Sequence, residues 1–216
     1  MMHKTLIFLL AFGTLAPAAE SRRPIGKSGD FDYYLLTLSW SPAYCAGRQT
    51  SPNDPQCGSG RHFAFVLHGL WPQYLKARND SLWPQFCSDQ PGPADPGSLL
   101  DIMPSRKLIE HEWDKHGTCS GMDAKGYFGF ARKQFSSVKI PQKFANLGEY
   151  LNPSPNEVKK AFLDANPSIP PDGIVIGCSA NYLSEVRICL DKSGKPIACT
   201  GQRDCKAQTV RMPPVR

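Results

Sequence analysis

His111-Glu112-Trp113-Asp114-Lys115-His116-Gly117-Thr118-Cys119 is the run on which the reading of this chain turns. On a helix, successive residues rotate by about 100°. Glu112, Lys115 and His116 then stand at i, i+3 and i+4 on one face, and His111 reaches its edge through Lys115, four positions on. Leu108, Ile109 and Trp113 give the segment an apolar side to seat on a core. Ser105 is a natural N-cap, and Gly117 is expected to end the helix in the left-handed conformation. A solvated charged face would be the plain reading of such a pattern. Two histidines around a carboxylate and an ammonium, on a tryptophan-anchored turn, point instead to acid–base chemistry on an anion. A zinc-protease His-Glu-x-x-His pair would sit at i and i+4. Here the histidines are at i and i+5, about 140° apart, so both could not ligate one metal without unwinding the helix.

Upstream, residues 61–68 read as a strand whose near-continuous apolar run suggests a central place in a sheet. His68 falls at its C-terminal end, before Gly69-Leu70-Trp71-Pro72, where a rigid frame often delivers catalytic groups; a hydrogen-bonded core histidine is the alternative. His62 reads as an ordinary strand residue with no assigned role. Trp71 suits a core, or a flat surface for stacking a base. Residues 31–40 form another strand, stopped by Ser41-Pro42. Residues 46–60 read as loop. Residues 74–104 are broken by Pro84, Pro91, Pro93, Pro96 and Pro104, which is long for a structureless connection and hints at binding.

Downstream, Asp123 can cap a helix running to about residue 138. Residues 144–151 suggest a short helix, and Ser154-Pro155-Asn156-Glu157 is a capping box opening another. Residues 174–180 and 182–190 read as strands, with a shorter one near 195–199. Strands, then clustered helices, then strands argue for an α+β fold: a single domain with a central, mainly antiparallel sheet flanked by helices.

Composition bounds the function classes. Residues 1–18 have a positive start at Lys4, an apolar run and Ala16-Pro17-Ala18, the pattern of a secretory signal peptide. No stretch is long enough to span a bilayer. Removal of Lys4 would take the formal charge from +6 to about +5. The basic residues are scattered with no arginine-rich arm, so a polyanionic substrate is compatible with the charge without being demanded by it. Residues 19–216 suit one domain with a proper core. All 8 cysteines lie there. An even number in an exported chain argues for disulfides, and the lack of Cys-x-x-Cys disfavours zinc. Spacing does not choose among about 105 pairings.

Phe65-Val66-Leu67-His68-Gly69-Leu70-Trp71-Pro72 and the run from His111 to Cys119 resemble the two active-site segments of the ribonuclease T2 family. Trp40-Ser41-Pro42-Ala43-Tyr44-Cys45 is similar to that family's strand-then-cysteine entry. The cysteine layout extends the likeness from Cys45 to Cys205. The resemblance implies cleavage of single-stranded RNA by attack of the ribose 2′-hydroxyl, giving a 2′,3′-cyclic phosphate and then a 3′-phosphate, without metal or cofactor. It implies His116 as general base, His68 as general acid, His111 as a phosphate binder, and Glu112 and Lys115 as groups that stabilise the phosphate or tune His116. It implies the bridges Cys45–Cys57, Cys87–Cys119, Cys178–Cys205 and Cys189–Cys199. Relatives can carry an acidic residue where Gln73 stands and an aromatic one where Leu108 stands, so weak base selectivity is expected. A carboxylate four residues before His116 should favour its charged form, hence an expected acidic activity optimum. No protein partner is implied, and a monomer is expected. A binding or toxin module on the same frame is the competing reading. Retention of His68, His111 and His116 argues against it.

Overall fold

The computed structural model describes residues 25–46, 48–49, 51–76 and 83–215. Residues 1–18, read from the sequence as a signal peptide, lie outside the described residues. Four strands, β1 (Tyr33–Trp40), β2 (Phe65–Gln73), β3 (Ile174–Ser179) and β4 (Tyr182–Leu190), form one sheet in the order β2-β1-β4-β3. Every pairing in it is antiparallel. The helices are α1 (Ser41–Ala46), α2 (Arg106–Lys115), α3 (Ala124–Ser137), α4 (Gln142–Ala145) and α5 (Pro155–Ala165). None among the described residues is long and apolar enough to cross a membrane.

Strand alternation divides β1 between two layers. Tyr34, Leu36, Leu38 and Trp40 join Ile109, Trp113, Tyr127, Phe144 and Phe162 in the main core, on the helix side. Tyr33 and Leu35 face the other way, with Cys189, Trp71 and Ile197. Glu185 and Arg187 of β4 stand on the same face, opposite Ser39 and Thr37 of β1.

The second strand departs from the expected 61–68. It starts at Phe65 and runs through Gly69-Leu70-Trp71-Pro72 to Gln73, leaving His62 exposed outside it. It is also an edge strand, whereas β1 and β4 are central. Pro72 is tolerated because an edge has one free side. The apolar run of β2 is buried by α2 and by the segment before it, where the Leu67 amide donates to the Ile102 carbonyl at 2.9 Å. His68 therefore sits mid-strand, at a bulge: Thr37 pairs with Gly69 and Leu38 with Leu67, so His68 is the extra residue. A bulge re-aims a side chain that regular pleating would commit to one face.

Helix α2 starts where the sequence places it, with the Ser105 hydroxyl accepting from the Leu108 amide. Its end differs from expectation. Gly117 is not left-handed; it opens a single 3₁₀ turn through Cys119. Glycine is needed there for space, since a Cβ would lie 2.4 Å from Trp113 Cε3. Asp123 caps α3 and the Ser154/Glu157 capping box opens α5. The helix expected over 144–151 is only the single turn α4, and Leu151 instead bridges to Met212. The strand expected near 195–199 is reduced to an isolated Leu190–Pro196 bridge. Ser41-Pro42 begins α1 besides ending β1.

The disulfides join Cys45 to Cys57, Cys87 to Cys119, Cys178 to Cys205 and Cys189 to Cys199. The Cys87–Cys119 bridge clamps the proline-rich segment onto the end of α2. The Phe86 amide donates to the Lys115 carbonyl at 2.9 Å, and the Trp113 indole donates to the Gln90 carbonyl at 2.8 Å. The first of these satisfies a carbonyl that the helix end would otherwise leave open, and the second ties the segment to the buried indole.

Candidate active site

Trp71, on β2, is the hub of the site. Its indole N–H donates to Glu112 Oε2 at 2.6 Å. The His116 ring stacks on it, with centroids 5.2 Å apart and planes 28° from parallel. The His68 ring meets it edge-on, also at 5.2 Å. One indole thus separates two imidazoles from segments almost fifty residues apart. Glu112 Oε1 lies 3.8 Å from His68 Nε2, so Glu112 links strand and helix. Gly69 makes this approach possible: a Cβ there would lie 2.0 Å from Glu112 Oε2 and 2.3 Å from the indole nitrogen.

The environments of the two histidines differ. His116 is buried, and its Nδ1 has no hydrogen-bond partner. Burial, followed by the charges of Lys115, His111 and His68, holds its pKa well below 6.5. The remaining nitrogen, Nε2, is the one able to meet a substrate. His68 is about a third exposed, and its Nδ1 lies 2.7 Å from Glu185 Oε1. Burial pulls its pKa down, but the Glu185 hydrogen bond and the charges of Glu112 and Glu185 outweigh burial and the opposing Arg187, so the net displacement is upward. Glu112 is 1% exposed. Burial raises its carboxyl to about 7 against the lowering influences of His68, the Trp71 N–H and Lys115.

Glu112 was expected to favour the charged form of His116. It turns instead toward Trp71 and His68, and His116 is displaced toward its neutral form. Helical spacing of four brings backbones close, but the indole takes the carboxylate, and burial of the imidazole dominates.

The other expected site residues fall into two groups. Lys115 is half-buried and His111 exposed, both near enough for their charges to act on His116. Gln73 and Leu108 lie elsewhere in the packing. Gln73 is 2% exposed and its amide donates to the Pro72 carbonyl at 2.9 Å; Leu108 packs half-buried on the main core. Neither is hydrogen-bonded to the two histidines. The face of Trp71 covered by His116 is closed to a base. Sequence reading missed Glu185 and Arg187 on β4, where Arg187 donates to Glu185 Oε2 through Nε at 2.8 Å and Nη2 at 2.6 Å. Their signal was two opposite charges at i and i+2 within an apolar strand.

Residues 31–205 match the family described as "Ribonuclease T2 family". The chain belongs to the ribonuclease T2 family. This T2 family chain is 34% identical over 182 residues to a "Probable ribonuclease" of Haemophilus influenzae, covering 78% of this chain and 61% of that protein. It is 41% identical over 131 residues to a "Ribonuclease" of Aeromonas hydrophila, covering 59% of this chain and 56% of that one. The T2 chain thus spans less than two thirds of the length of these two relatives. With "Ribonuclease DdI" of Dictyostelium discoideum it shares 29% identity over 211 residues, covering 88% of each. The fold of this T2 chain is that of an RNase-related protein from Calystegia sepium, with a TM-score of 0.65 at 22% identity over 88% of this chain and all of the other. RNase NT in complex with 5′-AMP superposes with a TM-score of 0.62 at 24% identity, covering 86% of this chain and 99% of the other.

Proposed function

We propose that this chain is a metal-independent endoribonuclease that cleaves single-stranded RNA by 2′-hydroxyl transphosphorylation. One observation carries the reading: His68 and His116 lie against the same indole with proton affinities displaced in opposite directions. A proton acceptor and a proton donor are what this reaction requires. Neutral His116 takes the 2′ proton as that oxygen attacks phosphorus. The bond to the 5′-oxygen breaks, and charged His68 gives its proton to that oxygen. A 2′,3′-cyclic phosphate forms, and with the two roles reversed water opens it to a 3′-phosphate. The extra negative charge of the transition state is met by Lys115 and His111. Glu112, neutral below about 7, can donate a hydrogen bond to a phosphate oxygen.

Weak base selectivity follows from the burial of Gln73 and the core packing of Leu108, which leave neither free to read a base edge. Export to the periplasm or exterior, with residues 1–18 removed and residues 19–216 forming a monomeric catalytic domain, fits the four disulfides, which persist in oxidising compartments. Similar chains include "Extracellular ribonuclease LE" and "Intracellular ribonuclease LX" of Solanum lycopersicum. N-terminal sequencing of the processed chain tests the cleavage.

The catalytic reading is tested with single-stranded RNA in excess EDTA. Cyclic-phosphate ends should appear while DNA stays intact, and a folded His116→Ala variant should lose most of the turnover. Unchanged turnover in that variant would remove His116 from the mechanism.

A further inference from the structure

Two charges on β4 are not used by the acid–base steps. Glu185 and Arg187, two residues apart, project from the same face of the strand. The Glu185 side chain is 11% exposed, and an isolated carboxylate that buried would be costly. Its partners account for both oxygens: the Arg187 fork donates twice to Oε2, leaving Oε1 to face His68 Nδ1 at 2.7 Å. Two guanidinium N–H groups converging on one carboxylate oxygen hold the charge in place and leave the other oxygen to His68. The backbone is adapted to this meeting on both strands. His68 is the extra residue of the bulge in β2, and Ser184, just before Glu185, is the extra residue where Gly177 pairs with Glu185 and Cys178 with Leu183. For stability alone, apolar residues at these positions would do as well as a buried ion pair.

We infer that Glu185, held by Arg187, is a positioning residue for His68: it accepts the Nδ1–H, fixes the ring's tautomer and plane, and leaves Nε2 to carry the proton toward the leaving oxygen. The same logic orients imidazoles elsewhere, where the hydrogen bond at one ring nitrogen decides what the other can do. The charged and titratable groups facing His68 are Glu185 and Arg187 from β4, Glu112 from α2, and His116 at the end of α2. Of these, only Glu185 makes a hydrogen bond to the ring. The upward displacement of the His68 pKa, with the Glu185 bond as its leading upward cause, agrees with the role.

The inference rests on the proposed role of His68 as the acid, and the test keeps the two apart. Glu185→Gln and His68→Ala are assayed beside the wild type on single-stranded RNA and on a uridine 3′-(4-nitrophenyl phosphate), whose leaving phenolate needs no proton. Glu185→Gln should lower kcat on RNA by about 10–100-fold, the range found when the outer hydrogen-bond partner of a metal-bound imidazole is removed. KM should change little, the aryl ester should be cleaved nearly normally, and the alkaline limb of the pH profile should move to lower pH. Should His68→Ala lose RNA turnover while Glu185→Gln keeps both turnover and alkaline limb, the positioning role is overturned alone. If His68→Ala itself keeps full activity, the catalytic reading fails first. A variant-free measurement guards against misfolding: ¹⁵N NMR of the wild type should show neutral His68 as the Nδ1–H tautomer. The Nε2–H tautomer would overturn the inference.

Discussion

Glu112 is where catalysis and stability should conflict most, and Glu112→Gln exposes the conflict. Burial lifts this carboxyl from 4.5 to about 7 in the folded chain. A carboxyl raised in this way contributes stability that is fully present below its unfolded value and is lost as pH rises through the folded value. From this group alone, the wild type should therefore lose roughly 3 kcal/mol between about pH 4.5 and 7, with little further change above. Glutamine keeps the shape and an oxygen to accept the Trp71 N–H but never ionises, so it removes that loss. Urea unfolding at pH 4 and pH 8 reads the difference. The variant should gain on the wild type by about 2–3 kcal/mol between the two pH values, equivalent to roughly 5–10 °C in Tm for a chain of this size. Titrations of groups not coupled to Glu112 are common to both proteins and largely cancel, while the coupled His68 is followed by its own NMR titration in each protein. RNA cleavage by the variant should fall, as expected where a destabilising buried group is retained for activity. A variant with the same stability offset at both pH values would refute the argument, since Glu112 would then ionise alike in folded and unfolded chains.

Three further outcomes follow from the geometry. The kcat/KM profile should rise on an acid limb well below 6.5, set by His116, and fall on an alkaline limb above 6.5, set jointly by the coupled His68–Glu112 pair; an acid limb above 6.5 would contradict the assignment of the base. Gly69→Ala forces a methyl into the Trp71–Glu112 contact and should cost about 1–3 kcal/mol with a matching loss of activity. In a double-mutant cycle that cost should shrink when Glu112 is also truncated to Ala. Replacing Cys87 and Cys119 by serine should destabilise by about 2–5 kcal/mol in chemical denaturation and weaken cleavage, because the bridge holds the turn beside His116.

Local chemistry was readable along the chain. The Ser105, Asp123 and Ser154 caps are set by side chains within three residues of the amides they serve, so helix starts need no tertiary information. Helix ends and strand bounds were less legible. Gly69 and Pro72 look like breakers, yet β2 runs through both because it is an edge strand with α2 packed against it. Gly117 looks like a left-handed cap, yet Trp113 is what demands it, a contact that depends on how the indole packs.

By itself, the sequence determined the pieces: an α+β order of elements, a catalytic-type helix with His116, Glu112 and Lys115 on one face, a strand carrying His68, and an even set of cysteines. Only the tertiary structure decided what each charged group faces. Glu112 turned from its helical neighbour His116 to Trp71 and His68, and His68 met Glu185, 117 residues away, through a bulge in each of two strands. The reason is physical. Periodicity records which face of an element a residue occupies, whereas partners and proton affinities depend on strand order, bulges and burial, which arise when distant segments pack.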